Sequence, residues 1–211
     1  MVCRYRSNSS GLPLNTKTMQ MGLRNLEQEW REQLISLAEG SILEVEVGEG
    51  NNFLYYPSGA KLTGTDTSAS SIKIARAEAV SRGIDASFIV SPAELLQMQR
   101  NSFDTIISTF SLHSYANPAA MLEQFNTWCK PDGRILLLEY GLSKYKMLNW
   151  LKKKWVPFEY LRRGSQDAVR DALAIISESK LRIKKVDVKY ADIVYLVSAS
   201  LKPEYNDDLK R

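Results

Sequence analysis

The chain has 211 residues, a hydrophobic fraction of 44%, a charged fraction of 25% and a net charge of +4. These values bound one globular domain with a sizeable core, and no apolar stretch is long enough to span a bilayer as a helix. A lone histidine, His113, and two cysteines, Cys3 and Cys129, exclude a multi-histidine metal site, make no metal-binding pattern and suit a reducing compartment.

The first 26 residues carry Arg4, Arg6, Lys17 and Arg24 and no acid. That composition suits either a solvated chain end on a cytoplasmic protein or a mitochondrial transit segment. No apolar core of a secretory signal follows it. Residues 1–22 are therefore set apart as a basic terminus. Leu23, Leu26, Trp30, Leu34 and Leu37 then fall at helical spacing and predict a helix over 23–38, ended by Gly40. The near-continuous apolar run 41–47 predicts a central parallel strand. Further strands are expected over 61–65, 86–90, 103–109 and 134–139. Helices are expected between them over 68–81, 92–98 (short) and 118–129, the last stopped by the turn Lys130-Pro131-Asp132-Gly133. A helix over 166–179 and two strands over 181–190 and 192–200, paired as a hairpin, complete the domain at 202. The tail 203–211 is charged. The alternation predicts an α/β fold: a doubly wound, mostly parallel sheet with helices on both faces and a C-terminal antiparallel hairpin.

The chemistry gathers at the run 42–52, ILEVEVGEGNN. An apolar strand carrying Glu44 runs into a loop with glycines at Gly48 and Gly50, and Asp66 ends the next strand. Glycines permit positive φ and close approach of a ligand. A carboxylate about 20 residues further on, at a strand end, is placed for the two hydroxyls of a ribose. Asp66 also suits the role of N-cap for the helix that follows.

The order of these pieces resembles the class I S-adenosylmethionine-dependent methyltransferases, in particular the small branch around ubiquinone/menaquinone-biosynthesis and phospholipid N-methyltransferases. ILEVEVGEGNN resembles that family's first motif, and LTGTDTSASSIKIARA its second strand and following helix. NSFDTIISTFSLHSYANPAAMLEQF resembles its fourth strand and the loop after it, and WCKPDGRILLLEYG its fifth strand. The resemblance covers residues 34–202 and implies a seven-stranded sheet with a reversed seventh strand. It implies S-adenosylmethionine as cofactor, with no metal. It places Glu44, Gly48 and Gly50 at the methionine moiety, Asp66 on the ribose, Thr67 beside the adenine, and the backbone of Ala93 at the adenine edge. Phe110 and Ser111 would line the sulfonium side and His113 would face the substrate, as a general base or as a histidine packed in its loop.

Two positions depart from the family pattern. Glu46 stands where the first glycine is usual; against the cofactor's own carboxylate at about 4 Å it would cost about 4 kcal/mol at an effective dielectric of about 20. Ser91-Pro92-Ala93-Glu94 stands where Gly-Asp-Ala-Glu is common, so Pro92 offers no carboxylate to the adenine amino group. Methyl transfer to a small-molecule or lipid-like acceptor is the first expectation. An inactive binding or assembly subunit on the same fold is the second. A nicotinamide-dependent oxidoreductase is disfavoured by the hairpin and by the lack of a complete G-x-G-x-x-G. Residues 143–164 hold seven bases and one acid interleaved with aromatics. This segment reads as a lid over the site, as a surface for anionic membrane, or as an RNA contact through 144–163. The sequence does not specify the oligomeric state.

Overall fold

The computed structural model describes residues 16–141, 172–189 and 193–202, with side chains from Arg24 onward. The basic aromatic segment 143–164, the start of the helix expected over 166–179, and the chain ends 1–15 and 203–211 lie outside the described residues. Seven strands form one sheet. They are β1 (Ser41–Val45), β2 (Lys61–Asp66), β3 (Asp85–Val90), β4 (Phe103–Thr109), β5 (Cys129–Tyr140), β6 (Leu181–Lys189) and β7 (Val194–Leu201), in spatial order β3-β2-β1-β4-β5-β7-β6. The pairs β1–β2, β1–β4, β2–β3 and β4–β5 are parallel. Strand β7 is antiparallel to both β5 and β6, so it is the one strand running against the rest. The α/β sheet with a C-terminal antiparallel hairpin, expected from the sequence, is what the chain forms.

Successive residues of a strand point to opposite faces, and the core divides accordingly. On one face Leu43, Val45, Ile106, Ile135 and Leu137 pack against Met121, Leu122 and Phe125 of α3 (Pro118–Trp128). Ile176 of α4 (Ala172–Glu178) joins the same cluster. On the other face Ile42, Ile107, Leu136 and Leu138 meet Trp30, Leu34 and Ile35 of α1 (Thr16–Ile35). Ile72, Ala75 and Ala79 of α2 (Ala69–Arg82) complete that face. Helix α2 starts at an N-cap, Ser68, whose hydroxyl accepts from the Ser71 amide at 3.2 Å, and ends at Gly83 with φ 66°. Asn117 caps α3 in the same way, ahead of Pro118 at the first helical position.

Several expected boundaries shift, each for a visible reason. Helix α1 begins at Thr16, so 16–22 belong to it and not to the basic terminus, and it ends at Ile35. Leu37, past its end, is 42% exposed. Gly40 instead opens β1, with φ 65° and the Asp104 side chain where a Cβ would sit; Asp104 accepts from the Ser41 amide at 2.9 Å. The short helix expected over 92–98 is a single 3-10 turn, Ala93–Leu95, because Leu96 is already extended. The Lys130–Gly133 turn lies inside β5 as a bulge. Phe103 pairs Cys129, and the register then jumps to Thr105 with Arg134.

The chain winds outward from β1 through β2 to β3, then returns to β4 on the other side of β1 and winds outward again. In such sheets the crevice at the carboxyl ends of the two strands flanking the reversal is the ligand site. Here those strands are β1 and β4.

Candidate functional site

Strand β1 ends at Val45, and the next residue, Glu46, is forced into the left-handed region with φ 58°. Gly48 follows at φ 58° and Gly50 at φ 91°. The loop is strapped to β2: Val47 N–H donates to the Thr65 carbonyl at 2.9 Å, and Gly48 N–H to Asp66 Oδ2 at 2.9 Å. The two glycines do different work. A Cβ on Gly48 would meet nothing within 4 Å, so its backbone borders open space at the carboxyl end of β1, whereas one on Gly50 would strike the Phe53 ring at 2.7 Å. Gly50 is needed for packing; Gly48 offers the close approach.

Asp66 is 4% exposed. Its second oxygen accepts from Ser68 N–H at 2.8 Å. Ser68, not Asp66, caps α2, so the capping role weighed for Asp66 falls to its neighbour. Thr67, between them, is exposed.

Glu44 is 1% exposed and, two residues on from Ile42, shares the α1 face of the sheet. Asn52 Nδ2 donates to its Oε1 at 2.7 Å, and the Tyr56 hydroxyl donates to its Oε2. Arg31 on α1 donates to Asn52 Oδ1 at 2.7 Å and to Thr109 Oγ1 at 3.1 Å, and Asn52 also reaches Thr109 at 3.2 Å. Burial pushes the Glu44 carboxyl up to about 7 against the opposing pull of Tyr56, Asn52 and Arg31. Glu44 therefore braces the loop from beneath.

After β4 the backbone repeats the same device. Phe110 has φ 56°, and its amide donates to the Leu138 carbonyl at 2.7 Å. Its ring stacks on Tyr140, centroids 4.4 Å apart, with the Arg31 guanidinium 5.2 Å from the ring centre. Two of the three non-glycine residues at positive φ among the described residues thus immediately follow β1 and β4, the strands of the switch point. Backbone strain of this kind collects where a site over-determines the chain. Ser111 turns to the opposite face of the sheet from Arg31. It is 4% exposed and joins Ser108, Tyr115 and Glu139 in a buried polar chain. Glu46 is half-buried at the mouth, close enough to Tyr115 that its charge, after burial, helps hold the phenol protonated.

Ala93 is buried in the turn after β3. Glu94 beside it accepts from the Ala116 amide at 3.1 Å, tying the turns after β3 and β4 together. His113 sits half-buried on the 3-10 turn Leu112–Ser114. The residues named from the sequence thus come together at the carboxyl ends of β1 to β4. Two surface cavities of about 490 and 470 Å³ lie elsewhere: Asp104 and Lys130 line the first, Arg134 and Lys184 the second, at the amino ends of β4 and β5. Neither contains any of these residues, and neither shows convergent chemistry. The sequence reading missed Arg31, Asn52, Tyr56 and Thr109 on one face and Ser108, Tyr115 and Glu139 on the other. One signal pointed to Glu139: like Glu44, it is an acid inside an apolar central-strand run.

Among the described residues no group of three or more His, Cys, Asp or Glu could hold a metal ion, and no helix is long and apolar enough to cross a membrane.

Residues 43–137 match the family described as methyltransferase domain. Methyltransferase OMS1, mitochondrial, of Saccharomyces cerevisiae is 30% identical over 138 residues, 56% of this chain and 29% of the relative. The ubiquinone/menaquinone biosynthesis C-methyltransferase UbiE of Bdellovibrio bacteriovorus is 28% identical over 131 residues, 58% of this chain and 54% of the relative. The chain thus spans about half or less of the length of these relatives. A crystal structure of a SAM-dependent methyltransferase from Aquifex aeolicus superposes with a TM-score of 0.62 at 16% identity, over 90% of this chain and all of that one.

Proposed function

We propose that this chain, whose residues 43–137 match a methyltransferase-domain family and whose fold is shared with a SAM-dependent methyltransferase, is a class I methyltransferase that transfers a methyl group from S-adenosylmethionine to a small-molecule acceptor. The observation that carries the reading is Gly48. Its backbone borders open space, its amide is fixed by Asp66, and both stand at the carboxyl ends of the strands beside the switch point of the sheet. When bound, S-adenosylmethionine supplies an electrophilic methyl on a sulfonium.

The chain's part is to bind and orient. Each Asp66 oxygen accepts one backbone N–H and keeps a lone pair for a ribose hydroxyl. Thr67 and the backbone at Ala93 flank the adenine. Gly48 and the turn Phe110–Ser111 close on the methionine end, and Glu44 acts through Asn52 and Tyr56 by fixing the loop. His113 stands on the acceptor side. Aligning the nucleophile with the methyl is the main source of rate in such a reaction. A precursor of a quinone as acceptor is supported by the UbiE relative, whose name gives C-methyl transfer in ubiquinone/menaquinone biosynthesis. The lipid-like acceptor and the membrane or RNA contact rest on a segment outside the described residues. A mitochondrial address is supported by the basic first 26 residues and by the name of the yeast relative. Fusing residues 1–26 to a fluorescent protein tests it; diffuse cytoplasmic signal would favour the cytoplasmic alternative.

Calorimetry with S-adenosylmethionine and S-adenosylhomocysteine tests the central reading, with micromolar affinity expected. Glu46→Gly is the informative variant. It removes a left-handed non-glycine residue, which costs about 1 kcal/mol, and removes a negative charge near the cofactor's carboxylate. It is expected to raise both the unfolding midpoint and cofactor affinity. Absence of binding by the wild-type chain together with binding by Glu46→Gly would instead identify an inactive assembly subunit.

A further inference from the structure

Glu139, near the end of β5, is 1% exposed. Its Oε1 collects three donors: the amides of Ser111 and Leu112, each at 3.1 Å, and the Ser108 hydroxyl at 3.3 Å. From there a file of buried hydroxyls leads away from Glu139. Ser108 Oγ lies 2.6 Å from Ser111 Oγ, and Ser111 Oγ lies 3.1 Å from the Tyr115 hydroxyl. Burial above all, with the charges of Glu46 and Glu139 adding to it, keeps the Tyr115 phenol protonated and so able to donate to Ser111. Ser111 is then free to donate to Ser108, and Ser108 donates to Glu139. In that arrangement every hydroxyl donates toward the Glu139 carboxyl group.

Holding the turn after β4 needs only an acceptor for two amides, which a neutral glutamine would supply. A buried ionisable acid costs more than that role requires. Its position at one end of a hydroxyl file that passes through Ser111, the residue directly after Phe110, fits a second task.

We propose that the file Ser111–Ser108–Glu139 takes up the proton released by the methyl acceptor, so that the acceptor is a protic nucleophile: a hydroxyl, a thiol or an acidic carbon. This rests on the methyltransferase reading above. The acceptor's electron pair forms the new bond to the methyl carbon, and the carbon–sulfur pair remains on sulfur. The acceptor proton passes to Ser111 Oγ while the Ser111 proton passes to Ser108 Oγ and the Ser108 proton to Glu139 Oε1. Neither hydroxyl is left charged, and the reverse file returns the proton to water after product departs. The groups facing Glu139 are Ser108 from β4, Ser111 and Tyr115 from the turn after it, and Tyr195 opposite it on β7, with Glu46 acting on Tyr115 from the loop after β1. Burial pushes Glu139 up to about 8, against the hydrogen bonds from Leu112, Ser111 and Ser108. Its carboxylate form therefore grows in as pH rises through about 8.

The test uses the full chain with a simple hydroquinone and an alkanethiol as protic probes and a tertiary amine as the aprotic one. Glu139→Gln keeps an oxygen for the two amides, so S-adenosylmethionine affinity is expected to change less than about threefold, while kcat on protic probes falls at least about 100-fold. The rising limb of the wild-type pH profile near pH 8 is expected to vanish in Glu139→Gln, and Ser108→Ala should lose rate alike. Isotope-edited infrared gives a readout without turnover: a protonated-carboxyl band present in the wild type, absent in Glu139→Gln, and titrating near pH 8. Unchanged kcat and pH profile in both variants would overturn the proposal, as would methylation of the tertiary amine alone or a Glu139 already ionised at pH 6. Failure of the wild-type chain to bind S-adenosylmethionine would strike the methyltransferase reading instead, and the infrared titration separates the two failures.

Discussion

Asp66→Ala is expected to lower S-adenosylmethionine affinity by at least about 100-fold and to destabilise the fold by about 3 kcal/mol. Both effects follow from the same carboxylate. Its two oxygens accept from Gly48 N–H at 2.9 Å and Ser68 N–H at 2.8 Å, and the group is 4% exposed. Removing it leaves two enclosed amides without an acceptor, at about 1–3 kcal/mol each, and relaxes the loop that presents Gly48. On the proposed ribose role it also removes two charge-assisted hydrogen bonds to the ribose hydroxyls, worth about 1.5–3 kcal/mol each. Asp66→Asn separates the contributions, because its carbonyl oxygen keeps one amide while its NH2 opposes the other. It is expected to lose about half the stability and most of the affinity. Urea unfolding and calorimetry on the three proteins provide the comparison. Retained affinity in Asp66→Ala alongside lost stability would make Asp66 a brace for the loop and nothing more.

That double duty marks where sequence reasoning reached and where it stopped. The strands of the central sheet were legible because buried parallel strands must be apolar almost throughout, as in Ile42–Val45 and Ile135–Leu138. The reversal between β3 and β4 followed from the fold that this alternation dictates. The positions of Gly48 and Asp66 followed from their spacing around a strand, a loop and a strand. The reason for Gly50 did not, because Phe53 fills the space beside it, and a glycine that yields to a ring looks the same in sequence as one that yields to a ligand. The two polar networks were invisible for a related reason. Arg31 and Asn52 are 21 positions apart, and Ser108 and Glu139 are 31 apart. No local period links them; only the order β1-β4-β5 brings them side by side. Glu44 was legible as a site residue, but its direction was not: alternation along β1 turns it to the α1 side, where Asn52 and Tyr56 already occupy both oxygens.

Glu46 changes meaning in the same light. In the sequence it is a charge where a glycine is usual. In the structure it is also a side chain held at φ 58°, the mirror of Phe110 at φ 56° one strand away. Both strand ends at the switch point make the same sharp left-handed exit, and neither uses glycine for it. The fold therefore bears strain at both lips of the crevice, and the buried contacts of Val45, Val47, Phe110 and Leu112 offset it.

The two buried acids give the second large effect, a loss of stability as pH rises from 5 to 8. Burial lifts Glu44 from 4.5 to about 7 and Glu139 from 4.5 to about 8. In the unfolded chain both return to the ordinary carboxylate range. Between about pH 4.5 and 8 the folded protein therefore binds more protons than the unfolded one, and unfolding free energy must fall with rising pH across that window. Below it both states are protonated and above it both are ionised, so these two groups leave stability level there. The shifts correspond to about 3 kcal/mol for Glu44 and about 5 kcal/mol for Glu139. That is a large part of the 5–15 kcal/mol typical of a whole domain. Urea unfolding of the cofactor-free chain at pH 5, 6, 7 and 8 is expected to show a steady decline. Glu139→Gln removes the larger share and should level the curve above about pH 7 while halving its slope below, whereas Glu44→Gln should halve the slope below about pH 7 and leave the decline above it. A wild-type stability that is level or rises over this range would mean that both acids are ionised in the fold. The Tyr56, Asn52 and Arg31 contacts on one side, and the Ser111 and Leu112 amides on the other, would then outweigh burial.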